Sequence, residues 1–347
     1  MSAPAYCTMF DSGYLARGLA LIDSMRNCNV DGEIWVLCRD DLTQQYLNRL
    51  DLPGVRPFSL HDLEQDTENL ASVRNERSRA EYFFTCTPSI VTYVLKRVPG
   101  SEWVTYLDAD MYFFDSPDRV FSEVESGDIG IVPHRFPNKI SSLSRYGTYN
   151  VAWVMFRNTP NGRECAEWWR DRCIEWCFDR PEQGKYADQG YLDQFAEKFP
   201  TTIAIQNPGV NLAPWNLGRH EITLANDYPI VDGRPLVFFH FHGLRRRGDW
   251  IYPSLATYKT RLTPTVRDCV YAPYIAALDA IERGSASINY GHPIPNATTA
   301  PAARNQRSVR SAAYRGRRRL VQAGERLTGS AFRIAKHEKG MQSREYS

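Results

Sequence analysis

The chain of 347 residues lacks several features that identify large protein classes. Residues 1–5 carry no basic segment of the kind that begins a secretory signal, and no apolar run approaches the ~20 residues that cross a bilayer. There is no internal repeat, no G-x-G-x-x-G fingerprint and no Walker phosphate loop. We therefore expect a cytoplasmic globular protein that binds its ligands through neither of these glycine-rich loops.

Metal-binding cysteine patterns are also missing. The eight cysteines are scattered along the chain, and without a secretory signal we expect reduced thiols rather than disulfides. Cys173 and Cys177 are one helical turn apart and could hold a metal ion, but no second pair of Cys or His lies near them in the sequence. The spacing therefore favours a buried pair on the inner face of a helix.

Charge is distributed unevenly along the chain. Residues 301–347 contain 12 Arg or Lys and 3 Glu, so a whole-chain charge of +2 leaves about −7 for the first 300 residues. We predict a globular domain over residues 1–283, a linker over 284–304 and a basic helical or disordered tail over 305–347. The tail could contact the anionic inner face of a membrane peripherally, or could simply be solvated. No nucleic acid is expected as a partner, because the globular part is acidic.

Strand-like and helix-like patterns alternate through the first part of the chain. The predicted strands cover residues 5–10, 33–37, 55–59, 103–107, 128–132, 151–156 and 236–240. The predicted helices cover residues 14–25, 42–50, 87–96, 162–177, 190–198 and 265–282, with Pro88 expected in a first helical turn. This rhythm predicts an α/β fold with a mostly parallel central sheet covered by helices.

Two aspartates follow the fourth predicted strand with one residue between them. Residues i and i+2 of an extended segment point the same way, so Asp108 and Asp110 can face one cation. Ligands of open α/β sheets bind beyond the carboxyl ends of the strands. A carboxylate beside a core strand needs a cation or several donors. The pattern favours Mn²⁺ or Mg²⁺ as a cofactor over ordinary turn carboxylates.

A second candidate motif lies at the end of the last predicted strand. His240 could complete the coordination of an ion held by the two aspartates, and His242 is an alternative ligand. Gly243 allows a ligand to approach the backbone closely. Arg246 belongs to a run of arginines whose forked donors suit phosphate oxygens. The other interpretation is a core histidine followed by a solvated basic loop.

Further polar residues are candidates for sugar contacts. Asp188 and Gln189 precede a predicted helix, where Asp188 could also act only as a cap. Asn150 and Asn216 supply amide groups near the aromatic rings of Trp153 and Trp215, a combination that suits sugar hydroxyls but also ordinary turns.

Along the chain the order is the carboxylate pair, the strand that Asn150 opens, the Asp188-Gln189 helix start and the His-Gly-Arg segment. Motifs in this order resemble those of the glycogenin-like family of retaining GT-A glycosyltransferases, which includes bacterial lipopolysaccharide galactosyl- and glucosyltransferases. The resemblance covers residues 5–260 and rests mainly on residues 107–110 and 240–246. It implies a Rossmann-like GT-A fold for the globular domain. Arg246 stands where the family has Lys, and Ala152 where it usually has Gly.

The resemblance also implies roles for the matching residues. Asp108, Asp110 and His240 would be the metal ligands, with His242 as the alternative. Asp188 and Gln189 would be the catalytic residues near the reacting carbon of the donor sugar. The implied donor-binding residues are Thr8, Phe10, Tyr14, Arg77, Asp108, Asn150, Gly243 and Arg246, and the acceptor-binding residues are Trp215 and Asn216.

We therefore predict a hexosyltransferase that uses a divalent metal. It would move a sugar from a nucleotide-diphosphate donor, UDP by resemblance, to a glycan or lipid-linked acceptor, with retention, as in polysaccharide biosynthesis. One alternative is a non-catalytic subunit that binds a nucleotide sugar, against which the intact carboxylate pair and histidine segment argue. The other is a sugar nucleotidyltransferase, which would carry a Gly- and Lys-rich phosphate loop after the first strand; residues 11–14 do not supply one.

Overall fold

The central feature of the fold is a seven-stranded sheet with the strand order β3-β2-β1-β4-β7-β6-β8. A computed structural model describes residues 3–284 and 331–333. The strands of this sheet are β1 (Ala5–Phe10), β2 (Glu33–Cys38), β3 (Val55–Ser59), β4 (Trp103–Leu107), β6 (Ile129–Pro133), β7 (Tyr149–Arg157) and β8 (Thr202–Ala204), and β5 (Met111–Phe113) lies outside it. Strand β7 runs antiparallel to β4 and β6, whereas the other neighbouring pairs are parallel. The prediction of an α/β fold with a mostly parallel sheet is confirmed.

Helices cover both faces of this sheet. They are α1 (Leu15–Asn27), α2 (Asp41–Leu50), α3 (Leu60–Asp66), α4 (Arg79–Arg97), α5 (Asp118–Glu123), α6 (Pro160–Glu175), α7 (Phe195–Lys198), α8 (Pro264–Val266) and α9 (Ala272–Glu282). Helices α1 and α9 pack together on one face, and α4 and α6 pack together on the other. Because both faces are covered, β4 is buried along its whole length, and its side chains alternate between two cores, with Leu107 in one and Tyr106 in the other.

Helix α4 begins earlier than the sequence pattern predicted. It starts at Arg79 rather than residue 87, so Pro88 lies inside the helix and not in its first turn. The start is stabilised by a capping box. The Ser78 hydroxyl accepts a hydrogen bond from the Glu81 amide at 3.3 Å, and the Glu81 carboxylate accepts one from the Ser78 amide at 2.8 Å. This Ser-x-x-Glu spacing is visible in the sequence and is a better indicator of the helix start than the proline.

Two other predicted helices are less regular than expected. The segment predicted as one helix over residues 190–198 is a 3₁₀ helix at Gln189–Gln194 followed by α7. The last predicted helix is confirmed in extent but contains a π-helical turn at Arg267–Tyr271 between α8 and α9. Cys173 and Cys177 are both buried and free, as predicted, but helix α6 ends at Glu175, so only Cys173 lies on the helix.

The C-terminal segment contributes one short strand to the folded body. Strands β9 (Ile222–Ala225), β10 (Tyr228–Val231) and β11 (Arg234–Pro235) form a small sheet of their own, and β12 (Phe238–His240) follows them. Strands β13 (Arg245–Arg247), β14 (Trp250–Tyr252) and β15 (Phe332–Arg333) form a three-stranded sheet, in which Phe332 pairs with Ile251. At Phe332 and Arg333 the chain is a strand, whereas the sequence pattern predicted helix or disorder. The rest of the predicted linker and tail lies outside the described residues. Within residues 3–284 and 331–333, no helix is both long and apolar enough to cross a membrane.

Candidate active site

Asp108 and Asp110 lie in the turn that leaves the carboxyl end of β4. The Asp108 amide donates a hydrogen bond to the Ala152 carbonyl of β7 at 3.3 Å, and the Met111 amide donates one to the Asp108 carbonyl at 3.2 Å. These bonds hold a tight turn against the sheet before β5 begins. Both carboxylates are thus placed at the sheet edge where the sequence predicted a ligand site.

His240 reaches the same place through a separate strand. Strand β12 (Phe238–His240) pairs antiparallel with β5, with His240 opposite Met111. The Phe241 amide then donates a hydrogen bond to the Asp110 carbonyl at 2.8 Å. This register brings a residue 130 positions later in the chain beside the aspartate turn.

The three side chains form a cluster with the chemistry of a metal site. One ligand atom from each of Asp108, Asp110 and His240 lies within 4.8 Å of the others. The Nε2 atom of His240 is 3.1 Å from Asp110 Oδ1 and 3.6 Å from Asp108 Oδ2. Two anionic oxygens and an imidazole nitrogen are donors that Mn²⁺ and Mg²⁺ accept, so the residues present fit a divalent ion. The alternative ligand His242 faces the same cavity but is not part of this cluster.

Burial and mutual charge shift the pKa values of all three side chains in the cluster. Burial raises the pKa of Asp108 to about 6; the attraction of His240 lowers it and the repulsion from Asp110 adds to the rise. Burial also acts to raise the pKa of Asp110, but the charge of His240 and its hydrogen bond hold that pKa below its usual value. Burial lowers the pKa of His240, and the attraction and hydrogen bond of Asp110 more than reverse this. A bound cation would stabilise both ionised carboxylates together.

A cavity of about 560 Å³ opens in front of the cluster. Its wall contains many aromatic side chains, among them Tyr14, Phe83, Phe136, Tyr146, Tyr186, Trp215 and Tyr258. Polar groups converge on it as well, from Asp108, Asp110, Asn150, Asp188, Gln189, His240 and His242. Its volume and its mixture of apolar walls and few polar groups are typical of small-molecule sites.

A chain of hydrogen bonds fixes the amide of Gln189 at the cavity wall. His134 Nδ1 is 3.3 Å from the Thr148 carbonyl, which can only accept, so this nitrogen carries the proton. His134 Nε2 is then free to accept from the Asn150 amide nitrogen at 3.2 Å. The same Asn150 nitrogen donates to Gln189 Oε1 at 3.0 Å, and Gln189 Nε2 donates to the Tyr146 carbonyl at 2.8 Å. Burial lowers the pKa of His134 to about 3, which keeps its ring neutral for this arrangement.

Asp188 is a second buried carboxyl group at the cavity. Burial raises its pKa to about 7; a hydrogen bond from the Thr87 hydroxyl opposes the rise, and the charge of Asp108 adds to it. Its backbone carbonyl accepts a hydrogen bond from the Trp169 ring at 2.8 Å, which ties this residue to α6. Asp188 and Gln189 therefore lie together at the site, as the sequence motif predicted.

The structure places several predicted donor-binding residues away from the cavity. Thr8 and Phe10 are fully buried, and Phe10 packs against Gly18 of α1. Because neighbouring residues of a strand face opposite ways, Met9 lines the cavity instead of either neighbour. Arg77 is turned inward, where its guanidinium donates to the Thr85 hydroxyl and, at 2.8 Å, to the Cys173 carbonyl.

The glycine and arginine of the second motif are also displaced from the expected contacts. Gly243 adopts a positive φ of 69° beside Ser254, so its role in this structure is to form a turn. Arg246 is paired with Asp279 of α9 and lies 3.9 Å from Glu282. It lines a different, smaller cavity with Arg17. In this structure Arg246 is therefore held away from Asp108 and Asp110.

Of the two predicted acceptor-binding residues, only one faces the cavity. Trp215 lines it and donates from its ring to the His134 carbonyl at 3.0 Å. Asn216 is fully buried and uses its amide in the local turn, where it bonds to the Ala213 amide and to the His134 and Asn211 carbonyls.

Sequence reasoning missed two residues that shape the cavity. Arg39 lines the cavity with its guanidinium 3.3 Å from the centre of the Phe83 ring, and it lies 3.8 Å from Asp11. It follows β2 directly, and its position at the carboxyl end of a parallel strand was the available signal. His134 follows β6 in the same way. Neither residue belongs to a recognisable motif, so only the topology identifies them.

Comparisons with known proteins place the chain near two bacterial relatives. It is 35% identical over 250 residues to the uncharacterized protein YfnF of Bacillus subtilis (strain 168), covering 70% of this chain and 82% of that protein. It is 27% identical over 281 residues to the uncharacterized protein YfnD of the same organism, covering 80% and 89%. No protein-family model matches the chain.

The solved structures that the chain is similar to include glycosyltransferases. With the galactosyltransferase LgtC, in complex with donor and acceptor sugar analogs, it shares 15% identity and a TM-score of 0.45 over 77% of this chain and 100% of that one. With mouse xyloside xylosyltransferase 1 it shares 12% identity and a TM-score of 0.44 over 69% and 98%. A likeness this distant assigns no activity, which has to be inferred from the site.

Proposed function

The chain belongs to the family of the Bacillus subtilis protein YfnF, and we propose that it is a metal-dependent glycosyltransferase. The proposed reaction moves a sugar from a nucleotide-diphosphate sugar, with UDP as the expected nucleotide, to a glycan or lipid-linked acceptor. The observation that carries the proposal is the convergence of Asp108, Asp110 and His240 at the mouth of an aromatic cavity of about 560 Å³. This arrangement suits a ligand that is part diphosphate and part ring system.

Each part of the site has a physical task in such a reaction. Asp108, Asp110 and His240 would hold the ion, which when bound accepts the negative charge that develops on the leaving diphosphate. The aromatic wall excludes water from the reacting carbon and offers faces for the base and the sugar. Asn150 and His134 orient the Gln189 amide, so that its Oε1 and Nε2 present a fixed pattern to the donor sugar.

Retention of anomeric configuration is part of the proposal. Gln189 is a weak nucleophile, so we propose a same-face displacement. The bond between the anomeric carbon and the leaving diphosphate breaks, the acceptor hydroxyl oxygen bonds that carbon from the same face, and the hydroxyl proton passes to an oxygen of the leaving diphosphate. NMR of the product tests this directly, because an inverted anomeric centre would contradict it.

A donor panel tests the proposed activity. The purified chain is incubated with UDP-, GDP-, ADP- and dTDP-sugars in the presence of Mn²⁺, Mg²⁺ or EDTA, and release of the nucleoside diphosphate is measured. We expect release from one nucleotide class with metal and none with EDTA. Donor binding without release would favour a non-catalytic subunit instead. Exchange of pyrophosphate into the donor would favour a nucleotidyltransferase.

Asn150→Asp should separate positioning from binding. The substitution keeps the shape of the side chain but removes the N–H that bonds both His134 and Gln189. We expect kcat for donor hydrolysis to fall about 10- to 100-fold, because an unpaired Gln189 oxygen would face a carboxylate, while the donor KM changes less. Steady-state kinetics check this, with Asn158→Asp as the control: Asn158 follows the far end of β7, where its amide bonds the Val98 carbonyl and not a residue of the cavity wall. Equal kcat values for the Asn150→Asp variant and the unsubstituted chain would contradict the role.

A further inference from the structure

A second cavity, of about 650 Å³, lies at the same edge of the central sheet. Pro133 at the end of β6, Tyr149 at the start of β7 and Ala204 at the end of β8 all line it. Because β7 runs antiparallel to β4 and β6, these strand ends meet at the edge that carries Asp108. The first cavity thus lies over β1, β4 and β7, and the second lies over β6, β7 and β8.

The two cavities share a wall. Phe136 lines both of them. The 3₁₀ segment Asn138–Tyr146 also lies between them, with Leu143 facing the first and Ser144 facing the second. A molecule seated in the second cavity would therefore be adjacent to the proposed site of sugar transfer.

The second cavity is lined by two arginines and one carboxylate, that of Asp232. The guanidinium of Arg135 is fixed by hydrogen bonds to the Val210 carbonyl at 2.7 Å, the Ile205 carbonyl at 2.9 Å and the Asn207 carbonyl at 3.1 Å. Burial lowers the pKa of Arg135, the charge of Glu123 opposes that lowering, and the charge of Arg219 adds to it as the smallest of the three. Arg219 is exposed and lines the cavity. Two neighbouring guanidinium groups repel each other, so a bound anion would stabilise both.

A histidine and an aspartate form a hydrogen-bonded pair in the wall of the second cavity. His220 Nδ1 lies 2.6 Å from Asp232 Oδ2, and the His220 side chain is only 5% exposed. Its other ring nitrogen, Nε2, is buried and has no hydrogen-bond partner among residues 3–284 and 331–333. Because protein atoms cover this nitrogen, the group that the pair presents to the cavity is the Asp232 carboxylate, whose side chain is 42% exposed.

Hydroxyl and amide groups complete the lining. Ser141, Ser144, Thr148, Tyr149 and Gln206 surround the cavity, and Phe136 adds an apolar ring face. Short hydroxyl side chains and one aromatic face suit a sugar ring, whose edges are polar and whose faces are apolar.

We propose that this second cavity is the acceptor site and that it takes a sugar bearing an anionic group, either a carboxylate or a phosphate. The proposal rests on the glycosyltransferase function proposed above. The anionic group would be held at Arg219, beside the fixed charge of Arg135. The sugar ring would lie against Phe136 and direct its acceptor hydroxyl towards the first cavity.

The test measures binding of three probes by ligand-observed NMR titration. The probes are glucuronic acid, glucose 6-phosphate and glucose, which share a ring and differ in charge. We expect one or both charged sugars to bind and glucose to bind at least about tenfold more weakly, the usual loss with one charge-assisted hydrogen bond. A preference between the two charged sugars identifies the group as a carboxylate or a phosphate. Equal binding of all three probes, or binding of none, would overturn the proposal.

Substitutions locate the binding and separate it from the donor site. Arg219→Ala should weaken binding of the charged sugar about tenfold or more, whereas Arg49→Ala, which removes an exposed charge at the end of α2, should not. UDP with Mn²⁺ should bind both variants as it binds the unsubstituted chain and should not displace the charged sugar. Unchanged affinity in Arg219→Ala, or competition by UDP, would place the sugar elsewhere. If UDP with Mn²⁺ did not bind the unsubstituted chain, that result would contradict the proposed function and not the acceptor site.

Discussion

Asp110→Ala should reduce metal-dependent donor hydrolysis by at least about 10²-fold. The substitution removes one of three converging ligands, together with the 3.1 Å contact that orients His240. Mn²⁺ binding, followed by electron paramagnetic resonance, should weaken in parallel. Because the lost interaction strengthens as the diphosphate leaves, kcat should fall more than the donor affinity does.

The matched control for this prediction is Asp31→Asn, which neutralises an exposed aspartate in the turn before β2. It should leave both Mn²⁺ binding and turnover unchanged. Circular dichroism establishes that both variants are folded. If a folded Asp110→Ala variant turned over donor at the unsubstituted rate, the metal site would have to lie elsewhere.

Trp153→Ala should lower the free energy of unfolding by about 3–5 kcal/mol. Trp153 is fully buried in β7, opposite Leu107 of β4. Its ring stacks on Phe238 at 5.3 Å and meets the Phe113 ring at 6.3 Å. These two rings belong to β12 and β5, the strands that hold His240 beside the aspartates. The loss would therefore loosen the metal site as well as the core.

Chemical unfolding with urea measures this change. Trp153→Phe, which keeps an aromatic ring at the same position, should lose clearly less stability and retain more Mn²⁺ affinity. If Trp153→Ala lowered the free energy of unfolding by less than about 1 kcal/mol, the surrounding core would have to close over the space left by the ring. That result would contradict the close packing of Trp153 against Phe238 and Phe113.

The regular parts of the fold could be predicted because each strand and helix leaves its own periodic pattern. β3 and β4 begin and end at the predicted residues, and β1 does as well. Prediction was weakest where local geometry depends on tertiary contacts. The 3₁₀ helix at Gln189–Gln194 is tied to β7 through Asn150, a contact that no local pattern reveals.

The candidate metal cluster was predictable in composition but not in its supporting structure. The spacing of Asp108 and Asp110 and the strand before His240 indicated the three ligands. Their meeting depends on the β5–β12 register, which pairs residues 111 and 240. Thr8 and Phe10 illustrate the reverse case, since assigning the nucleotide contact to the wrong face of β1 selected two core residues instead of Met9.

Arg77 and Arg246 show why arginines are poor predictors of phosphate contacts. Both have the right charge and lie in the right part of the sequence. Arg77 is used to bind backbone carbonyls at the end of α6, and Arg246 is paired with α9. Sequence alone does not distinguish an arginine that holds the fold together from one that is free to hold a ligand.

Strand β15 joins part of the basic C-terminal region to the folded domain, because it pairs with β14. Phe332 is buried against the Tyr271 ring at 6.0 Å, and Arg333 lies over the Trp250 ring. A truncation after residue 304 would remove these contacts together with Arg317, Arg318 and Arg319. Vesicle binding by the truncated chain would therefore not separate the loss of charge from damage to the domain. Replacing Arg317, Arg318 and Arg319 with glutamine would neutralise the cluster while leaving the anchoring strand attached, and vesicle binding by that full-length variant would report on charge alone.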